Sequence, residues 1–294
     1  MAGQVSVGLH LGVHKTASTH LQHTLRNSSE ALIEKGVRYY GPDFLRLRGR
    51  SIEQMFGLGT APPPRRSTAD QIAFLAKGDS RILISEENFF GPLLERSGKG
   101  LVPPYSGGER AVAEFAGLLA GEGSPLDLYV AIRSPASFVT SRYSQILLSG
   151  TFLSPEDYAA MARPEGIDWA EMVAALASVP NKSSLYVWRY EDYGRILPSI
   201  LSAMVGSEAA GSVAPAETVV NPGFSAIALR RYLVARERGN KWLTPARARR
   251  RYPVGPDSPP LALFNAEELH HDTERYEDQI ARIRSIPGVT LIQP

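Results

Sequence analysis

Apolar residues alternate at Val5, Val7, Leu9 and Leu11, the period-two pattern of a strand. A polar run from Gly12 to Thr19 follows. Leu21, Leu25, Leu32 and Ile33 then share one side of a helix that Gly36 stops. Residues 41–78 hold Pro62-Pro63-Pro64 and several glycines and read as a loop with short helices. Arg81–Ser85 is nearly all apolar, as expected of a strand covered on both faces in a parallel sheet. After a Gly/Pro loop at 97–108, a helix near 109–121 turns Ala111, Phe115, Leu118 and Leu119 inward. Leu126–Ile132 is the clearest strand. Helical patterns then fill about 136–148, 155–162 and 168–178 before a strand at Leu185–Trp188. A helix near 195–205, an Ala/Gly/Pro linker at 206–223, helices over 224–238 and 266–285, and a last strand at Val289–Ile292 complete the chain. Asn265 with Glu268 fits the N-cap pair of the long final helix.

Strands alternating with helices predict an α/β fold with a central, mainly parallel sheet flanked by helices. At 294 residues the chain has room for one large domain or two small ones. We read it as a single domain over 1–294, with core motifs in 5–205 and a helical, basic portion at 224–294. Hydrophobic residues at 43% and charged residues at 21% fit a globular chain and exclude a disordered one. The absence of cysteine removes disulfide frameworks, thiolate metal sites and cysteine nucleophiles together. No apolar run approaches the ~20 residues of a membrane helix. The N-terminus carries no basic and apolar leader pattern, so the expected location is cytoplasmic. A net charge of +2 gives no sign of a nucleic-acid partner.

In such a sheet, ligands bind beyond the carboxyl ends of the strands. The residues there are His14-Lys15-Thr16-Ala17-Ser18-Thr19, Glu86-Glu87-Asn88, Arg133-Ser134-Pro135 and Arg189-Tyr190-Glu191-Asp192. A lysine and three hydroxyl residues ahead of a helix suit a phosphate, which backbone N–H groups and the positive helix end can hold. The Gly-x4-Gly-Lys-[Ser/Thr] pattern of nucleotide triphosphatases is not met, because Gly12 lies three residues before Lys15 and position 14 is histidine.

His14-Lys15-Thr16-Ala17-Ser18-Thr19-His20-Leu21-Gln22 resembles instead the 5′-phosphosulfate loop of sulfotransferases, in particular their bacterial and carbohydrate-type branch. That loop characteristically reads His-Lys-Thr-Gly-[Ser/Thr]-Thr-x-Leu-Gln. Arg133 and Ser141, eight residues apart, are similar to the family's 3′-phosphate motif. Val187-Trp188-Arg189-Tyr190-Glu191-Asp192 is similar to its late strand ending in Tyr-Glu-Asp. The three motifs stand in the family's order across residues 9–192.

The resemblance implies a P-loop-like, three-layer fold and 3′-phosphoadenosine 5′-phosphosulfate (PAPS) as sulfuryl donor. By these matches Lys15, Thr16, Ala17, Ser18 and Thr19 belong to the 5′ side, Arg133 and Ser141 hold the 3′-phosphate, and Tyr190 lies near the adenine. The acceptor implied is a hydroxyl of a carbohydrate or glycolipid, and no metal is expected if lysine and arginine supply the countercharge. Attack by a hydroxyl needs a base at the end of the second recognised strand. Ser85-Glu86-Glu87-Asn88-Phe89-Phe90-Gly91 is similar to a Ser-x-Glu-Asn-x-x-Gly segment, which puts Glu87 first and Glu86 second. Lys15 is placed to stabilise charge on the leaving nucleotide, an effect typically worth ~3–4 kcal/mol. Ala17 departs from the family's glycine. If the backbone there is left-handed, alanine costs roughly 1 kcal/mol or more.

Two other classes stay open on the residues alone: a P-loop kinase or NTPase, and a non-catalytic polyanion-binding module. The second draws on residues 226–252, where nine basic residues (Arg230, Arg231, Arg236, Arg238, Lys241, Arg247, Arg249, Arg250, Arg251) face one acid, Glu237. That stretch reads either as a solvated face or as a cover or track for an anion. His10, His14, His20 and His23 form no metal-ligand pattern. His10 is expected inside the sheet, His14 near nucleotide or acceptor, and the pair His270-His271 in solvent.

Overall fold

The computed structural model describes residues 4–93, 96–97, 100–101, 105, 107–217 and 223–294. Parts of the Gly/Pro loop at 97–108 and of the linker at 206–223 lie outside the described residues.

Six strands form the main sheet: β1 (Ser6–His10), β2 (Val37–Tyr40), β3 (Arg81–Ser85), β4 (Leu126–Ile132), β5 (Lys182–Arg189) and β6 (Val289–Ile292). Their order is β2–β3–β1–β4–β5–β6, and every pairing is parallel. β1 is central, with Leu9 opposite Ile84 on one side and Leu128 on the other. The expected α/β architecture is therefore present, and the order passes outward from β1 in both directions as in P-loop-like folds.

Period-two alternation decides which residues meet which layer. Val7, Leu9, Ile82, Ile84, Leu128 and Val130 join one core, with Phe115 and Leu119 of α3 (Gly108–Gly121; α1, Ser18–Asn27, and α2, Thr68–Ala76, precede it). Leu83, Tyr129, Ala131 and Trp188 point the other way and pack with Leu21 and Leu25 of α1. Each fully buried aliphatic or phenyl side chain here stabilises the fold by roughly 1.5–3 kcal/mol. Three layers result.

Helix starts follow side-chain chemistry. Pro135 opens α4 (Pro135–Leu148), with the Ser134 hydroxyl accepting from Ser137 N–H. Asp168 caps α5 (Trp169–Ala177) in the same way. After α6 (Tyr193–Val205) and α7 (Ala226–Glu237), Thr244 and Pro245 start α8 (Pro245–Arg251). Asn265 and Glu268 form the expected reciprocal capping box of α9 (Ala266–Arg284).

Three readings of the sequence are corrected. Residues after Gly36 include a strand, β2, which the pattern did not reveal. The first helix breaks at Ser28 into Ser18–Asn27 and Ser29–Glu34. The basic stretch contains a helix, α8, that was not anticipated. β2 and α8 are short and lack a long period of their own; packing against β3 and α4 supplies what the local pattern does not.

Candidate active site

The chain leaving β1 carries three left-handed residues within six positions: Gly12 (φ 48°), Lys15 (φ 68°) and Ala17 (φ 65°). Left-handed residues interspersed with others turn backbone N–H groups toward a common concavity, the geometry of an anion nest. A Cβ at Gly12 would sit 2.9 Å from Ser18 Oγ and 3.2 Å from His10 Cε1, so glycine is required by space as well as by φ. Ala17 caps α1 without a side-chain hydrogen bond, and no acid stands in the first turn. The first N–H groups of α1 are thus left for a ligand. The left-handed backbone suspected at Ala17 is present, and Lys15 shares it.

Arg133 directly follows β4 and ties this loop down. Its Nη1 donates to the Lys15 carbonyl at 2.8 Å and its Nε to Ser137 Oγ at 2.8 Å. Its guanidinium lies 4.3 Å from the centre of the Tyr190 ring. Among the described residues Nη2 has no protein partner. The carbonyl of Arg133 accepts from Trp169 Nε1 at 2.7 Å. The carboxylate of Asp272 on α9 accepts from Ser134 Oγ and Ala136 N–H, and Glu191 accepts from Ser134 N–H. The C-terminal helix therefore braces a loop that lies 136 to 138 positions earlier in the core motifs.

A cavity of about 450 Å³ opens above these strand ends. Lys15, Ala17, Ser18, Thr19, Glu87, Arg133, Ser141 and Tyr190 all line it, so eight of the nine expected site residues converge. Thr16 does not. Its buried hydroxyl turns back to the Val13 carbonyl, which leaves only its backbone for a ligand. His14, His20, Arg46, Asn88 and Gln145 also line the cavity. Gln145 follows Ser141 by one helical turn, and that spacing could have found it. Arg46 sits in a stretch read as a loop with short helices, and nothing local marks it.

Arg46 separates the two glutamates. Its Nη2 and Nε contact Glu86 Oε1 and Oε2 at 2.8 and 3.0 Å, a two-pronged pair, and Glu86 also accepts from Asn88 N–H. Glu86 is buried and fully engaged. Glu87 opens a 3-10 turn (Glu87–Phe89) just past β3, faces the cavity and lies 3.7 Å from Arg46. β3 ends at Ser85, so the turn and not strand alternation sets the two directions.

Electrostatics in the cavity are one-sided. Among the described lining residues Lys15, Arg46 and Arg133 are cations, and Glu87 is the one carboxylate. Burial lowers the pKa of Lys15, and the nearby charges of Arg133 and Arg249 add to the effect while Glu87 opposes it. Arg249 on α8 thus lies within electrostatic reach of the phosphate-type loop, whereas Arg247, Arg250 and Arg251 are exposed. Burial also lowers the pKa of His14, against the pull of Glu87. Tyr105 Oη accepts from His14 N–H at 2.8 Å and lies 2.7 Å from His14 Nδ1. His14 Nε2 lies 3.2 Å from Asn88 Oδ1. His10 is buried inside the sheet and His270 and His271 are exposed, as their positions predicted.

No family model and no curated protein matches the sequence. A solved sulfotransferase structure from Alicyclobacillus acidocaldarius is similar to this one with a TM-score of 0.40 and 15% identity, over 83% of this chain and 94% of that chain. No helix among the described residues is long and apolar enough to cross a membrane.

Proposed function

We propose that the protein is a sulfotransferase that moves a sulfuryl group from PAPS to a hydroxyl, most consistently one on a carbohydrate or glycolipid acceptor. The observation that carries this reading is the meeting of Lys15, the α1 N-terminus, Arg133 with Ser141, and Glu87 around one cavity. The sequence motifs that resemble the family's donor loop and 3′-phosphate site arrive there from different strands.

The residues fit the donor. Lys15 and the N–H groups of Thr16 to Thr19 suit the 5′-phosphosulfate, while Arg133 Nη2 and Ser141 suit a second phosphate. Tyr190, already under the Arg133 guanidinium, offers an aromatic face to a base. Excess cationic charge supports a ligand with several anionic groups, because a carboxylate-poor, partly buried cluster gains most from such a guest.

In the reaction the acceptor oxygen bonds to sulfur, the bond from sulfur to the bridging oxygen breaks, and its electron pair stays on the nucleotide phosphate. Glu87 takes the acceptor proton, since Glu86 is committed to Arg46. Lys15 stabilises the charge on the departing phosphate. His14, held between Tyr105 and Asn88, lines the cavity together with Glu87.

Thermal-shift titration with 3′-phosphoadenosine 5′-phosphate, with ADP and Mg-ATP alongside, tests the donor. A ligand at about 100 times its dissociation constant adds ~2.7 kcal/mol of stability. Selective stabilisation by the 3′-phosphorylated nucleotide, lost in Arg133→Ala, is expected. Equal shifts with ADP, or a preference for Mg-ATP, would refute the reading.

A further inference from the structure

A second hollow lies on the β2 side of the same sheet edge. It measures about 540 Å³ and is lined by Arg48, Arg50, Arg65 and Arg66, with Phe44 and Phe74 at its walls and no acidic residue among its described lining. Among the described residues none of the four arginines comes within ion-pair distance of a carboxylate. All four guanidinium groups are exposed, and their shared positive field favours an anion that bridges them.

Two of the four are held in place. The Arg50 guanidinium lies 4.6 Å from the centre of the Phe44 ring, and that of Arg66 lies 4.0 Å from the centre of Phe74. Contact with a ring restrains each guanidinium while leaving N–H groups for sulfate, carboxylate or phosphate, so less side-chain freedom is lost on binding.

The hollow adjoins the catalytic cavity through the chain itself. Arg46 touches Glu86 and Glu87, and Arg48, two residues on, lines the hollow. Two residues span at most about 7 Å. Passing along the sheet edge, the donor loop at β1 and β4 comes first, then Glu87 after β3, then the arginines after β2. A molecule seated in the hollow therefore approaches Glu87 from the side opposite the donor.

The geometry points to this arginine hollow as the acceptor subsite for an acidic oligosaccharide, one that already carries sulfate or carboxylate groups when it presents its hydroxyl to Glu87. The assignment deepens the sulfotransferase reading and rests on it. An acidic glycan supplies both hydroxyls and repeated anions, and it can enter a concave site that a bilayer surface cannot.

Fluorescence anisotropy with a labelled heparin-derived octasaccharide tests it on the full chain. The Arg50→Gln/Arg66→Gln pair is expected to raise the dissociation constant at least tenfold. The Arg250→Gln/Arg251→Gln pair on α8 should change it less than threefold. Arg48→Gln/Arg65→Gln provides an independent second disruption of the hollow. Thermal stabilisation by 3′-phosphoadenosine 5′-phosphate should be unchanged in all three.

No binding by the wild type, or loss through the α8 pair and not the hollow pairs, overturns the proposal. So does hollow-dependent binding to phosphatidylglycerol vesicles without binding to the octasaccharide. If the octasaccharide result holds while the nucleotide gives no stabilisation, the hollow stands as a glycan site, and its role as an acceptor subsite fails together with the donor reading.

Discussion

His10 makes stability a function of pH in a way that can be worked out from its surroundings. It ends β1 directly beneath the Gly12–Thr19 loop, is buried, and stacks on Trp188 with ring centres 5.8 Å apart. Ser85 Oγ accepts from Gln22 Nε2 at 3.2 Å and lies 2.8 Å from His10 Nδ1. Protonating the ring would put a charge in the sheet. Burial accordingly lowers its pKa from 6.5 to about 4. With the folded value below the unfolded one, the unfolded chain binds more protons between them. The contribution is complete above about pH 6.5 and is lost as pH falls toward 4. Linkage gives a loss of about 2 kcal/mol between pH 7.5 and 5.0 from this one group.

Urea unfolding of the wild type and of His10→Gln at pH 7.5, 6.0 and 5.0 measures it. The wild type should lose about 2 kcal/mol more than the variant over that range, whatever the variant's own stability. His14 pulls in the same direction but remains in both proteins, so it cancels in the comparison. In the folded wild type the His10 ring signal should not titrate above pH 5. Equal losses in the two proteins, or a His10 resonance that titrates near pH 6.5, would refute the argument.

Glu87→Gln should reduce sulfuryl transfer at least a hundredfold, in keeping with the 10²–10⁴ typical of a general base, and leave nucleotide-induced stabilisation intact; single-turnover assays read this. Arg46→Met should leave the buried Glu86 carboxylate with one backbone donor and lower stability by about 1–2 kcal/mol, discounted because Arg46 is half exposed, measured by urea midpoint. Ala17→Val should destabilise by more than the ~1–2 kcal/mol that a left-handed alanine already carries, since a β-branched side chain at φ 65° is a true outlier, and calorimetry would show a lower Tm. Burial, Arg133 and Arg249 hold the Lys15 pKa below its ordinary 10.5, so nucleotide affinity should begin to fall at a pH below that value, and Lys15→Arg should remove the decline.

Much of the candidate site was legible because strand, loop and helix starts are local. The alternation of Val7 and Leu9, the apolar run Arg81–Ser85, and the Pro135, Asp168 and Asn265 helix starts are decided by neighbours in sequence. The order of motifs then places Lys15, Arg133 and Tyr190 at one sheet edge, because a parallel α/β sheet brings every strand end to the same side. The strain at Ala17 was also legible, as a residue with a Cβ where close approach calls for none.

What the tertiary structure alone decided is which partner each side chain meets. Glu86 and Glu87 are identical in chemistry and adjacent in sequence, yet Arg46, forty positions away, binds one closely on two oxygens and leaves the other facing the cavity. Thr16 turns its hydroxyl to Val13 and leaves the cavity to its neighbours. Asp272 braces Ser134 across 138 positions, and Arg249 reaches the field of Lys15 from a helix that no local period announces. Hydrophobic periodicity writes the elements into the sequence because it repeats every two or 3.6 residues. Ion pairs and hydrogen bonds between distant segments have no period, so only the packed sheet brings them into being.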